Sequence, residues 1–189
     1  MKKTEKEGLI KYEKLSTKEE IIIFFLIYAF IGWCLETLYA YMVFGHFVKR
    51  GFLYGPICPI YGFGAVLLLI NLKNINKDNN IAKFLVSMVS FSIFEYIASF
   101  ILEIIFHKRW WDYTGFFLNI QGRICLIFAI IWGIIGVIFI NKIHPWVKNR
   151  VTKISIHLSI YARKFIILIL FLAFIIDEIF SVIKYIKGI

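Results

Sequence analysis

The chain has 189 residues, of which 60% are hydrophobic and 18% charged, and a net charge of +10. A soluble domain carries about 45–50% apolar and about 25% charged residues, so this composition excludes an ordinary soluble fold. The apolar residues come in blocks of roughly 17–25, enough to span about 30 Å of hydrocarbon. The basic residues fall between the blocks, where membrane topology and anionic lipid explain them and nucleic-acid binding is not needed. The expected fold is all-α: a polytopic transmembrane helix bundle of four to five spans, with the lipid bilayer as its first partner.

Residues 1–20 form a polar tail ending in two overlapping capping boxes, Ser16 with Glu19 and Thr17 with Glu20. That pattern starts a helix, and the charged tail does not read as a cleavable signal peptide. The first span is expected from Ile21 to Phe44. At 100° per residue, Tyr28, Gly32, Glu36, Tyr39 and Val43 share an arc of about 80°, so this face is expected against protein.

The next stretch, from Val48 to Phe63, is full of helix breakers: Gly51, Gly55, Pro56, Pro59 and Gly62. Proline removes a backbone donor, and freed backbone groups survive at membrane depth only where protein or a wet cavity satisfies them. A broken or re-entrant entry to the second span is therefore expected, with the span itself over Ile57–Ile70 or entered through Phe52–Tyr61. Asn71–Lys83 reads as a polar loop.

The third span is expected over Phe84–Phe106. Taking Glu95 as zero on the helical wheel, Ser99 falls near 40°, Ser92 near 60°, Glu103 near 80° and His107 near 120°. The spacing of Glu103 and His107 suits one helical face, but one Glu and one His fall short of a metal site. His107–Arg123 is rich in aromatics and reads as an interfacial segment with room for a short helix. Asp112 there is open to pairing with Arg109 or Arg123, or to capping the next turn.

The fourth span is expected from Ile124 to about Ile140, with Pro145 after its end. Ala129, Gly133 and Gly136 give it one face for close helix approach. His144–Lys164 is basic and suits an amphipathic surface helix. A fifth span over Phe165–Ile183 is interrupted by Asp177 and Glu178. The domain reading is a polar tail (1–20), a transmembrane core (21–145), then a basic amphipathic segment with a C-terminal hydrophobic helix (146–189).

The tail and the loops after spans two and four hold 15 of the 22 Lys and Arg, against 7 in the other connections. The positive-inside rule then places the N-terminus in the cytoplasm of a multi-pass protein of the cell membrane. The three cysteines, Cys34, Cys58 and Cys125, have no zinc or redox spacing and read as buried thiols. No metal, cofactor or nucleic acid is expected.

Glu36, Glu95 and Glu103 are embedded carboxylates, each costing about 2.5–3.5 kcal/mol at a helix centre on insertion scales. Arg50 and Arg123, each beside a glycine, are their most interesting cationic candidates. Arg50, Arg123, Glu103 and Asp112 are expected near the outer interface, with Glu36 and Glu95 deeper. Three roles fit this set: structural ion pairs, a ligand or ion pathway, or acid–base chemistry.

The motifs Phe30-Ile-Gly-Trp-Cys-Leu-Glu36, Lys49-Arg-Gly-Phe-Leu-Tyr-Gly-Pro-Ile-Cys-Pro-Ile-Tyr-Gly62, Glu95-Tyr, Glu103, Trp110-Trp-Asp-Tyr113 and Asn119-Ile-Gln-Gly-Arg-Ile-Cys125 occur in this order. Over about Phe24–Pro145 they make the chain resemble the CmpB-like membrane proteins labelled putative ABC-transporter type IV, or ABC transporter permease. The resemblance implies a transport-related component working with a separate ATPase, since no Gly-x4-Gly-Lys-Ser/Thr loop is present. A homo-oligomer or larger complex is expected, because five short spans enclose little space. The alternatives are a membrane scaffold or regulatory subunit, and an enzyme on lipid headgroups using Glu103, His107 or Asp112.

Overall fold

The computed structural model describes residues 16–187. Among these the protein is helical, with no strand and a single isolated bridge between Ile120 and Ile124. The helices are α1 (Thr17–Phe44), α2 (Pro59–Leu72), α3 (Asn80–Phe106), α4 (Leu126–Ile138), α5 (His144–Ser155) and α6 (Ile160–Lys187), with a π turn at Phe139–Ile143. Among the described residues four stretches are long and apolar enough to cross a bilayer: α1, α3, the continuous Leu126–Ser155 helix and α6. The polytopic helical fold follows.

Local signals set the ends of these helices. Ser16 and Glu19 form a reciprocal capping box: the Glu19 N–H donates to Ser16 Oγ (3.3 Å), and the Ser16 N–H to Glu19 Oε2 (2.7 Å). Gly45 closes α1 in the left-handed conformation, φ 72°, which glycine adopts without a side-chain penalty. Asn79 caps α3 through the Ala82 N–H.

Two expectations about helix ends are corrected. The fourth helix does not stop near Ile140 ahead of Pro145. It runs to Ser155, and the π turn lies immediately before the proline, with the His144 N–H donating to the Phe139 carbonyl. Proline has no N–H and crowds the carbonyl four residues earlier, and one wider turn lets the helix pass it. Likewise Asp177 and Glu178 do not interrupt α6, which is continuous for 28 residues.

The chain forms two compact units. Of the described residues, one comprises 16–66 with Trp146–Lys184, the other Leu67–Pro145 with 185–187.

In the first unit, glycines let α1 and α2 touch. A Cβ on Gly32 would lie 2.2 Å from the Tyr61 ring, and one on Gly62 would lie 2.7 Å from Phe25. Leu53, wholly buried, packs with Phe25, Leu26 and Phe174. Hydrocarbon tails are as apolar as these side chains, so close van der Waals fit and hydrogen bonds hold such contacts. Tyr28 and Gly32 are buried on α1 as expected, but Tyr39 and Val43 are exposed and Ala40 is buried in their place.

The limb between α1 and α2 folds back along α1. The Cys58 N–H donates to the Ala29 carbonyl at 3.0 Å. Ala29 lies fifteen residues before Phe44 in α1, about 22 Å at 1.5 Å per residue. The helix α2 starts at that level, with Pro59 in its first turn, where a missing N–H costs nothing. Its 14 residues make about 21 Å of helix, short of a bilayer alone. The broken entry expected from the prolines and glycines is thus an irregular limb leading into a short helix.

In the second unit α3 packs on α4. A Cβ on Gly133 would meet Phe84 at 2.5 Å, and one on Gly136 would meet Ser87 at 2.1 Å, the close approach expected of that face. The segment from His107 to Cys125 forms turns rather than a short helix. His107, Leu118 and Gln121 have positive φ, as does Gly122.

Candidate functional site

The candidate residues fall into three clusters, each within one unit. In the first unit, Glu36 accepts the Tyr61 hydroxyl at 2.6 Å and lies 3.5 Å from Arg50. Both charged side chains are about a third exposed, so the ion pair itself adds little. The Tyr61 hydroxyl, brought in over Gly32, is the closer partner. Gly51 holds the limb in a left-handed turn, φ 91°, and a Cβ there would meet Cys58 Sγ at 2.9 Å.

The second cluster surrounds Gly55 and was not anticipated. Asp177 on α6 accepts the backbone N–H of Tyr54 through Oδ1 (2.9 Å) and that of Gly55 through Oδ2 (2.8 Å). The Tyr54 N–H also reaches Ser181 Oγ at 3.2 Å, and Ser181 donates to Asp177 Oδ1. These are backbone donors released by the breaker-rich limb, and a carboxylate is the strongest acceptor a side chain offers them. A Cβ on Gly55 would stand 2.8 Å from Asp177 Oδ2, so the glycine permits the approach. Pro56, exposed, follows at once. The Tyr54 ring carries the ammonium groups of Lys49 and Lys184 at 4.6 and 4.8 Å from its centre. The sequence signal was the Asp177–Glu178 interruption itself, with Ser181 one turn later.

The third cluster, in the second unit, lies where the turns of 107–125 meet α3. The buried Arg123 guanidinium touches Glu103 Oε2 (2.5 Å) and donates to Ser99 Oγ (3.1 Å), with the Phe100 ring 5.2 Å away. Arg109 binds the other Glu103 oxygen at 3.0 Å. Two guanidinium groups therefore share one carboxylate. The metal-like spacing of Glu103 and His107 is not realised on a helical face, because α3 ends at Phe106 and His107 turns into the left-handed region. Among the described residues no group of His, Cys, Asp and Glu could hold a metal.

Asp112 caps the next turn. It accepts the Thr114 N–H at 3.0 Å and the Thr114 hydroxyl. The Thr114 hydroxyl first, then its N–H and the charge of Arg109, hold the Asp112 carboxyl below the usual carboxylate range. Gly122 makes room for this turn: a Cβ there would fall 2.3 Å from Asp112 Oδ1.

Glu95 sits deeper on the same helix. Its carboxylate accepts the Tyr113 hydroxyl at 2.9 Å and the Trp132 indole N–H at 3.1 Å. From sequence Tyr113 reads as part of the interfacial aromatic segment, and nothing in the spacing marks Trp132 as a partner of Glu95.

No match is found among curated proteins or among solved structures. A family model does match, described as Putative ABC-transporter type IV, over residues 23–182. The match continues past Pro145 through α5 and most of α6, so it takes in Asp177 as well as the Gly/Pro limb it binds. By this match, over most of its length, the chain belongs to the Putative ABC-transporter type IV family.

Proposed function

We propose that the protein is a permease-like component of a transport system, with its N-terminus in the cytoplasm and the limb at 46–58 on the outer side. The observation that carries this reading is the interrupted entry to α2. The limb runs back to the level of Ala29 before helix begins, giving the Cys58 N–H to α1 and the Tyr54 and Gly55 N–H groups to α6 rather than to its own helix. Irregular backbone beside a short helix inside the bilayer is the device transporters use to bind cargo at mid-depth. The family description supports the same class of function. The polar groups available to a cargo are Glu36 and Arg50 on one unit, and Arg123, Glu103, Asp112 and Glu95 on the other.

This chain has no phosphate-binding loop for ATP, so the reading requires a separate ATPase subunit, and it favours an oligomer or larger complex. The test is to purify the tagged chain from native membranes and measure ATP hydrolysis in the eluate. Co-purifying hydrolysis supports the reading. Its reproducible absence, with the chain intact and abundant, would overturn the ABC mechanism.

A scaffold role is the second reading, favoured by the mutual satisfaction of Arg123 with Glu103 and of Arg50 with Glu36. It predicts that Arg50→Gln and Glu95→Gln retain activity once abundance is restored. A transport site predicts lost flux at normal abundance.

A further inference from the structure

We infer that Glu95 is a proton-exchange site within the membrane-spanning part of the protein, served by Tyr113 and Trp132. This goes beyond the permease reading and does not depend on it.

Position comes first. Glu95 is eleven residues from the Phe106 end of α3 and fifteen from its Asn80 start, so it sits about 16 Å into the helix from one end. Only 8% of its surface is exposed. Among the described residues no cation pairs with it, nor with Glu178 on α6, although Glu36, Glu103, Glu19 and Glu20 all have one. An anionic carboxylate at such depth without a counter-ion is costly.

The groups around it are few. On its own helix the next carboxylate is Glu103, which is committed to Arg109 and Arg123, while the Arg123 guanidinium rests on Ser99 and the rings of Tyr96 and Phe100. The packed helix α4, Leu126–Ile138, contains no titratable side chain. The 107–125 segment contributes the Tyr113 phenol, with Cys125 as its neighbour.

The identity of the two donors decides the chemistry. Indole N–H can only donate, whereas a phenol both donates and accepts. As a carboxylate, Glu95 accepts from Tyr113 at Oε1 and from Trp132 at Oε2. When a solvent proton adds to Oε1, that O–H donates to the Tyr113 oxygen, the phenol proton turns away, and Oε2 still accepts from Trp132. One O–H bond forms and the carboxyl keeps both partners, while the phenol proton gives up its acceptor. A lysine or arginine in place of either aromatic would favour the anion alone, and two indoles would satisfy only the anion.

Both donors are held in place by stacking, Tyr113 on Phe128 (4.5 Å, 20°) and Trp132 on Phe91 (4.8 Å, 17°). Tyr113 also belongs to the turns of 107–125, next to the exposed Asp112. It therefore joins the embedded carboxyl to one end of the span, which gives the proton a direction of entry.

The test is pH-difference infrared spectroscopy on the purified chain in lipid nanodiscs, which reads protonation without any cargo. A protonated-carboxyl band should appear on acidification and vanish on alkalinisation. It should be missing in Glu95→Gln, unchanged in Glu103→Gln, and shifted in frequency in both Tyr113→Phe and Trp132→Phe. Glu95→Gln is isosteric and can make both hydrogen bonds, so it should fold. If it does not, the two aromatic variants and glutamate labelled at the carboxyl carbon still assign the band. Identical pH-difference spectra for wild type and Glu95→Gln would overturn the inference, as would a band indifferent to both aromatic variants.

Discussion

Asp177 binds Gly55 across 122 residues of sequence, its Oδ2 2.8 Å from the glycine N–H while Oδ1 takes the N–H of Tyr54. An acidic residue that breaks an apolar run in α6 thus takes two backbone donors of the limb before α2. Unpaired amides are not tolerated in hydrocarbon, so the carboxylate here serves the fold before it serves anything else.

Removing that acceptor should loosen the limb. Asp177→Ala leaves two backbone donors with only Ser181 nearby, and a hydrogen bond to a charged group contributes about 1.5–3 kcal/mol. Thermal unfolding in detergent should show a loss of at least this size, with Asp177→Asn intermediate because it keeps one acceptor oxygen. An unchanged midpoint in Asp177→Ala would show that the limb does not need the contact.

Glycines should separate by what their missing side chain faces. Gly32→Ala and Gly62→Ala force a methyl group into Tyr61 and Phe25, whereas Gly115 has open space around it. Overpacking costs about 1–3 kcal/mol, so the first two should lose stability by that amount and Gly115→Ala should stay near wild type. Equal behaviour of all three in a thermal-shift series would contradict the described packing of α1 on α2.

The Arg123–Glu103 contact should be worth more than Arg109–Glu103, because Arg123 is buried and Arg109 is about a third exposed. Arg123→Gln should cost about 1–3 kcal/mol, and Arg109→Gln about 1 kcal/mol or less. A double-mutant cycle with Glu103→Gln measures both couplings, and a larger coupling to Arg109 would reverse the assignment.

The Asp112 turn should depend on pH. Its carboxyl is held below the usual range by Thr114, so the folded state binds a proton less readily than the unfolded one. The turn is fully stabilised above the unfolded value, near 3.9, and loses that contribution as pH falls through the lower folded value. The protection of the Thr114 amide, taken against its intrinsic exchange rate, should fall over this acidic window in wild type and be independent of pH in Asp112→Asn. Protection that persists unchanged through acid would rule out the cap.

Much of the architecture was legible beforehand. The apolar blocks, the capping box at Ser16, the close-packing face of Gly133 and Gly136, and the broken entry to α2 are all local in sequence. Helix ends were less legible where a tertiary solution overrides a local rule. Pro145 reads as a stop, and the π turn carries the helix past it. Tyr39 and Val43 read as a continuation of the buried face, yet α1 turns its Ala40 side inward instead.

Residue chemistry alone determined that this chain is built from membrane-spanning apolar blocks, that the entry to its second block is broken, and that α3 carries a polar stripe with two carboxylates. Hydropathy and missing backbone donors are properties of a residue and its neighbours, so they survive without a fold. Only the tertiary structure decided the partners: Asp177 for Tyr54 and Gly55, Tyr61 for Glu36, two arginines for Glu103, and two aromatics for Glu95. Any carboxylate can accept any donor, and which one it meets depends on helix packing and on where a glycine lets the chains approach. For Glu95 that choice matters most, because a tyrosine and a tryptophan leave its charge free to change.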